Sequence, residues 1–522
     1  MQITGQMLIG TRDVEGTRAV IRAINPATNE AMDPPYAGGT EDDVNAACEL
    51  AAQAFHTYRK TTLAQRAAFL EKIAERIEAL GDALIERAHQ ESGLPEARLQ
   101  GERARTVGQL RLFAREVLRG DWLDARVDKA LPQRQPMPRS DLRLHYIPIG
   151  PVAVFGASNF PLAFSVAGGD TAAALAAGAP VIVKGHSAHP GTSEMVGRAV
   201  REAVQECGLH EGVFSLLFGS GSQIGQSLAR HATIKAVAFT GSRAAGTALM
   251  KTAAQRPEPI PVFAEMSSIN PVFLLPGALA QQATDIAQGF VQSLTMGAGQ
   301  FCTNPGLVIG LKSPELDAFI QSASELVSSA DSATMLTPGI FSAYQQGVQA
   351  LQSQPGLRRL AQGKLDEERA NQCQAALFAT DAATFLDGPH ELGKEVFGAA
   401  SLIVVCDNEA EMLSLIDQLE GQLTATLHMS DADSGLAGRL AERLELKVGR
   451  ILVNGYPTGV EVCDAMVHGG PFPATSDSRA TSVGTAAIYR FLRPVCYQDV
   501  PDAILPPALK QDNPWGIARR ES

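Results

Sequence analysis

From Val152 onward, short runs rich in β-branched residues alternate with Ala-rich or amphipathic stretches, and this alternation constrains the chain more than any other feature. Val152–Gly156, Val181–Lys184, Val213–Phe218 and Ala236–Thr240 read as strands, and Ser165–Ala177, Thr192–Cys207, Gln223–His231 and Ala244–Gln255 as the helices between them. Such a pattern predicts an α/β fold, with a parallel sheet buried on both faces under helices. A second alternating region runs from near Asn270 to about residue 485. Upstream, Leu70, Ile73, Ile77, Leu80 and Leu84 repeat on one apolar face, and Ala97–Arg119 reads as a further helix. Trp122–Arg139 reads as a connection, Leu142–Ile149 as a short strand, and the proline-interrupted segment Ile488–Ser522 as an extended arm.

With 522 residues, 45% of them hydrophobic, the chain can bury a large core divided into two or three domains. Its 44 basic and 56 acidic residues leave a formal charge of -12, which argues against general binding to nucleic acid or to anionic membranes. Two charge-free windows, Tyr146–Gly169 and Ile286–Leu311, are too broken by glycine and proline to read as membrane spans. The first residues lack the basic and apolar regions of a secretion signal. Seven scattered cysteines without a CxxC suggest neither a disulfide framework nor a thiolate zinc site, so a reducing cytoplasm is the expected compartment. Only His186 and His189 form a close histidine pair, with no cysteine nearby, and no metal is expected.

Five features carry chemistry. Cys302 sits in the glycine-rich, charge-poor loop MGAGQFCTNPG, where backbone amides can approach a ligand; this suits a nucleophile, although a lone cysteine is more often inert. Glu265 is the only charge between Glu258 and Asp285, so it is either paired with a buried cation or raised in pKa as a general base requires. Asn159 follows the first strand and can donate to an oxyanion or serve a turn before Pro161. FTGSRAAG, with Gly241 and Ser242, and FGSGSQIG both join a strand to a helix start, where free amides favour an anion. Lys184 ends the second strand, where a doubly wound sheet meets a ribose or phosphate.

Together these segments resemble the aldehyde dehydrogenase superfamily over almost the whole chain. The resemblance rests on GASNFP, VIVKGHSAHP, FTGSRAAG, AEMSSINP, GQFCTNPG and KEVFGAA, in that order. It departs from the family at Glu265-Met266-Ser267-Ser268-Ile269, where Glu-Leu-Gly-Gly-Lys is frequent, and at Ser158, where Trp is frequent. These variants, with CTNPG and VHGGPFPATSD, look most like the branch containing 2,5-dioxovalerate dehydrogenases and a bacterial fatty-aldehyde dehydrogenase. The resemblance implies Cys302 as nucleophile, Asn159 as oxyanion donor and Glu265 as the base that activates water. It places Glu395 on the nicotinamide ribose, Phe397 near the ring, Phe160 in the substrate pocket and His468 close by. It further implies a Rossmann-like cofactor domain (1–124 and 150–266), a catalytic domain (267–485) and a β oligomerisation element (125–149 and 486–522), hence a homodimer or homotetramer.

Two expectations refine this reading. No acid follows Lys184 until Glu194, while Lys184 and Ser187 can meet a 2′-phosphate, so NADP is expected to be preferred over NAD. Arg105, Gln109 and Leu112 share a face of the helix that resembles the substrate entrance. An arginine there suits a substrate carboxylate, as in 2,5-dioxovalerate, better than a fatty chain; the bland alternative is a solvated arginine paired with Glu102.

Overall fold

The computed structural model describes residues 3–522. Two seven-stranded sheets organise the chain. The first runs Val262–Glu265, Ala236–Thr240, Val152–Phe155, Val181–Lys184, Phe214–Leu217, Met7–Ile9 and Arg12–Val14 across its width. The first five strands are parallel, and the last two add as an antiparallel hairpin. The parallel strands contain little but Val, Ile, Ala, Leu and Phe because both of their faces are buried. In chain order the five read 5-4-1-2-3, so connections leave in opposite directions from Val152–Phe155 and Ala236–Thr240. At such a switch point the crevice opens beyond the carboxyl ends of the two strands.

Helices Glu41–Tyr58, Leu63–Ala79, Gly81–Ser92 and Glu96–Arg119 cover this sheet together with Gly169–Ala177 and Pro190–Glu206. Thr40 with Asp43, and Thr62 with Gln65, form capping boxes that fix the first two starts. The single apolar face expected through Leu84 is in fact two helices, because Gly81 adopts a left-handed conformation at φ +61° and turns the chain. The second sheet runs Arg358–Gln362, Ala376–Asp381, Ala400–Cys406, Leu307–Leu311, Val272–Leu274, Gln422–His428 and Val448–Val453. Successive residues serve its opposite faces: Phe273 and Ile309 join one apolar cluster, Val272, Leu274 and Val308 the other.

A separate four-stranded sheet pairs Leu142–Pro148 with Leu492–Gln498 on one side and Arg126–Asp128 on the other, with Arg520–Glu521 beyond. The stretch read as a plain connection thus contains a strand, Arg126–Asp128, and the C-terminal arm is partly strand. Among the described residues no helix is long and apolar enough to cross a membrane.

Candidate active site

A cavity of about 570 Å³ begins at the switch point of the first sheet and extends to the second. Asn159, Gly241, Glu265, Cys302, Glu395 and Phe397 all line it. Residues from five distant parts of the sequence therefore meet in one crevice.

The nucleophile loop is shaped by an unusual backbone. Helix Pro276–Thr295, kinked at Gln282, gives way to three successive left-handed residues, Gly297, Ala298 and Gly299. At Gly299 a Cβ would lie 2.3 Å from the main chain of Gly398 and Ala399, so only glycine lets the two segments touch. Asn270 then fastens the loop: its Nδ2 donates to the carbonyls of Cys302 and Asn304, both at 2.9 Å. Its own Oδ1 accepts from Ser268 and Thr424. Asn270 and Gln422, which accepts from the Ile269 amide at 2.7 Å, tie the segment after Glu265 to the Cys302 loop and to strand Gln422–His428. Neither was singled out in the sequence, where a buried amide has no local signature.

Glu265 ends the outermost strand of the first sheet and is nearly fully buried. Its Oε1 lies 2.8 Å from His468 Nε2, and its Oε2 accepts from Ser482 at 3.0 Å. The same His468 nitrogen is 3.5 Å from Cys302 Sγ. Of the two readings open for this glutamate, the paired one describes it. Burial raises its pKa, but the charge and hydrogen bond of His468, with donation from Cys302 and Ser482, outweigh that and hold it below the usual carboxylate range. Cys302 shows the converse. Burial, then the charge of Glu265, pushes the thiol well above its ordinary range. The resting pair is therefore thiol and carboxylate, and Glu265 is the acceptor placed to take the thiol proton.

Asn159 stands one turn beyond strand Val152–Phe155. One N–H of its amide donates to the Gln300 carbonyl at 3.0 Å, which aims the side chain at the Cys302 loop and leaves the second N–H to the cavity. Its main-chain carbonyl is held by Arg98 at 2.8 Å, whose guanidinium lies against the rings of both Phe160 and Phe301, 5.0 and 4.7 Å from their centres. Arg98 is a further positioning residue absent from the sequence reading.

At the other end of the cavity, Ser242 caps helix Arg243–Ala254 by accepting from the Ala245 amide at 3.3 Å. Gly241 crosses over the Phe239 ring, which a Cβ would meet at 2.7 Å. Lys184 closes its strand beside Phe155 and Leu217, and burial brings its pKa down to about 8. Ser187 is exposed in the following loop. Burial raises Glu395 to about 8. The second glycine segment, Phe218–Gly225, does not line this cavity; it forms a tight turn over Gly221–Gly225.

Arg105 is neither solvated nor paired with Glu102, whose Oε1 instead accepts from the amides of Leu162 and Ala163. The guanidinium lies over Phe164, 5.8 Å from the ring centre, and donates one N–H to the Val460 carbonyl. Its Nε and Nη2 are buried without a hydrogen-bond partner. Arg450 approaches from the opposite side, donating to the carbonyls of Pro457 at 2.8 Å and Gly459 at 3.0 Å. The two arginines thus grip one loop, 457–460, and burial lowers the pKa of each, opposed in part by neighbouring negative charge.

A doubly wound sheet, a helix N-terminus at its switch point and a partly buried cysteine facing a carboxylate are the parts of a nucleotide-dependent dehydrogenase. The chain belongs to the aldehyde dehydrogenase family, whose model matches residues 13–471. It is 59% identical, over 99% of both chains, to alpha-ketoglutaric semialdehyde dehydrogenase 2 of Azospirillum brasilense. It is 49% identical to the alpha-ketoglutaric semialdehyde dehydrogenase of Acinetobacter baylyi, over 99% of this chain and 97% of that one. The lactaldehyde dehydrogenase of Escherichia coli shares the fold, with a TM-score of 0.82 at 20% identity over 94% of this chain and 98% of that one.

Proposed function

We propose that the protein oxidises 2,5-dioxovalerate, the α-ketoglutaric semialdehyde, to 2-oxoglutarate with a nicotinamide cofactor. The observation that supports the substrate is Arg105, whose Nε and Nη2 are buried without a hydrogen-bond partner. An unpaired buried cation is costly, and a substrate carboxylate satisfies it bidentately. Arg105→Leu is expected to raise KM for 2,5-dioxovalerate by at least about tenfold, ~1.4 kcal/mol, and to leave short neutral aldehydes little changed. Equal effects on both substrate types would reject the assignment and favour a fatty-aldehyde enzyme.

In this reading Glu265 takes the Cys302 proton, and the sulfur attacks the aldehyde carbon. The free N–H of Asn159 and the Cys302 amide stabilise the oxyanion. A bound nicotinamide supplies the acceptor for the aldehyde hydrogen. Glu265 passes the thiol proton to solvent, then draws a proton from water as it attacks the thioester and returns that proton to the departing sulfur, so the carboxylic acid leaves with Cys302 restored as a thiol. His468 orients Glu265 toward both tasks through its 2.8 Å contact.

The residues fit the cofactor: Gly241, Ser242 and the start of helix Arg243–Ala254 for a phosphate, Lys184 and Ser187 for the adenosine ribose, Glu395 and Phe397 for the nicotinamide end. The choice between NADP and NAD turns on Glu194, the first acid after Lys184. It is fully buried and committed elsewhere, accepting from the Thr4 and Gly5 amides, Tyr36 and Arg198. With no acid free to repel a 2′-phosphate, kcat/KM for NADP should exceed that for NAD. A strong NAD preference in the same assay would overturn this.

We also assign residues 1–124 and 150–266 to cofactor binding, 267–485 to catalysis and 125–149 with 486–522 to assembly. Strand Leu492–Gln498 has an unpaired outer edge that supports main-chain pairing with a second copy, and so a homo-oligomer.

A further inference from the structure

Cys302 Sγ, His468 Nε2 and a Glu265 carboxylate oxygen all lie within 4.8 Å of one another. They are three chemically different donors, and thiolate, imidazole and carboxylate are together the donor set that Zn²⁺ takes. We propose that this cluster binds one Zn²⁺ ion reversibly, forming an inhibited state in which nucleophile and base are both occupied.

Geometry favours the ion. Tetrahedral zinc with its usual bond lengths separates a sulfur and a nitrogen ligand by about 3.6 Å, and Sγ and Nε2 are 3.5 Å apart. The carboxylate must retreat from its 2.8 Å contact with His468 by only about 0.5 Å to match tetrahedral spacing. The ligands are already held from behind: Ser482 Oγ donates to Glu265 Oε2, and Thr481 Oγ1 accepts from the His468 amide at 2.9 Å. The fourth position is left to water from the cavity that Glu265 and Cys302 line. Coordination breaks the S–H bond and forms Zn–S, the proton passing to solvent, and any proton on His468 Nε2 is displaced to Nδ1 or to solvent. Each ion bound therefore releases at least the thiol proton, and binding tightens as pH rises. A hard cation such as Mg²⁺ finds only one oxygen-bearing side chain in the cluster and has no comparable site. The donors come from three distant segments, which is why cysteine and histidine spacing in the sequence shows no metal motif.

The metal-content part of the test needs no substrate. Purified enzyme is treated with one equivalent of ZnCl₂, desalted and analysed for metal, and separately titrated with CoCl₂. We expect about one zinc per chain, a cobalt–thiolate charge-transfer band, and turnover that is lost with zinc and restored by EDTA while MgCl₂ leaves it intact. In Cys302→Ser and in His468→Asn, each checked for parental thermal unfolding, retained zinc should fall at least about tenfold, ~1.4 kcal/mol. Parental zinc retention in Cys302→Ser would place the metal on other thiols and overturn the proposal. So would full retention in His468→Asn, or no zinc retained by the parent. Because metal content is read directly, a failure here is distinct from a failure of the substrate assignment.

Discussion

Replacing Cys302 by Ser is expected to lower kcat by at least about a thousandfold, ~4 kcal/mol, with thermal unfolding and cofactor binding close to those of the parent. The hydroxyl is nearly isosteric with the thiol, so no cavity opens. It is a far poorer nucleophile, and its neighbours Glu265 and His468 are not arranged as a serine enzyme needs. The anchoring of the Cys302 loop through its main chain by Asn270 means that little structure depends on the sulfur itself. Steady-state oxidation of 2,5-dioxovalerate with NADP measures this directly. Retention of more than about a tenth of parental turnover would remove Cys302 from the chemistry.

Glu265→Gln should separate the two halves of the reaction. The amide keeps the volume and can still contact His468 and Ser482, but it cannot accept a proton. Rapid-mixing measurements are expected to show a first-turnover burst of reduced cofactor, because the thiol can lose its proton to solvent. The steady state that follows should be slower by about a hundredfold to ten-thousandfold, the usual worth of a positioned general base. The acyl-enzyme then accumulates and is detectable by intact-mass measurement. If parent and variant share one steady-state rate, the base lies elsewhere. His468 would be the next residue to test, since it alone bridges carboxylate and sulfur at 2.8 and 3.5 Å.

What could be read from the sequence follows a physical divide. Strands Val181–Lys184 and Ala236–Thr240 were legible to the residue, because a strand buried on both faces must be a short, continuous apolar run bounded by turn residues. Cys302 and Glu265 were legible because each is a chemically conspicuous residue in an otherwise apolar window. The break at Gly81 was not, since the apolar spacing continues across it and only the backbone conformation reveals the turn. Asn270, Gln422, Arg98 and Arg450 were also hidden. Asn270, Gln422 and Arg98 act through hydrogen bonds to segments tens or hundreds of residues away, and Arg450 through a loop seven to nine residues on, and local pattern carries no trace of such partners. The same holds for the pKa of Glu265: its isolation in sequence pointed equally to desolvation or to pairing, and only the arrival of His468, 203 residues along the chain, decides between them.

The burial of Glu194 bears on how this enzyme's cofactor preference can change, in evolution or by design. An acid that already bonds the Thr4 and Gly5 amides, Tyr36 and Arg198 is part of the scaffold, and recruiting it to a ribose would unlace the N-terminal hairpin from the helix Pro190–Glu206. A new acid for the ribose hydroxyls is instead accommodated at Ser187, which is exposed, whereas at Gly185 a Cβ would meet the Phe218 ring at 2.5 Å. Ser187 stands apart from the Cys302, Glu265 and His468 cluster, so a change in cofactor preference there need not disturb that cluster.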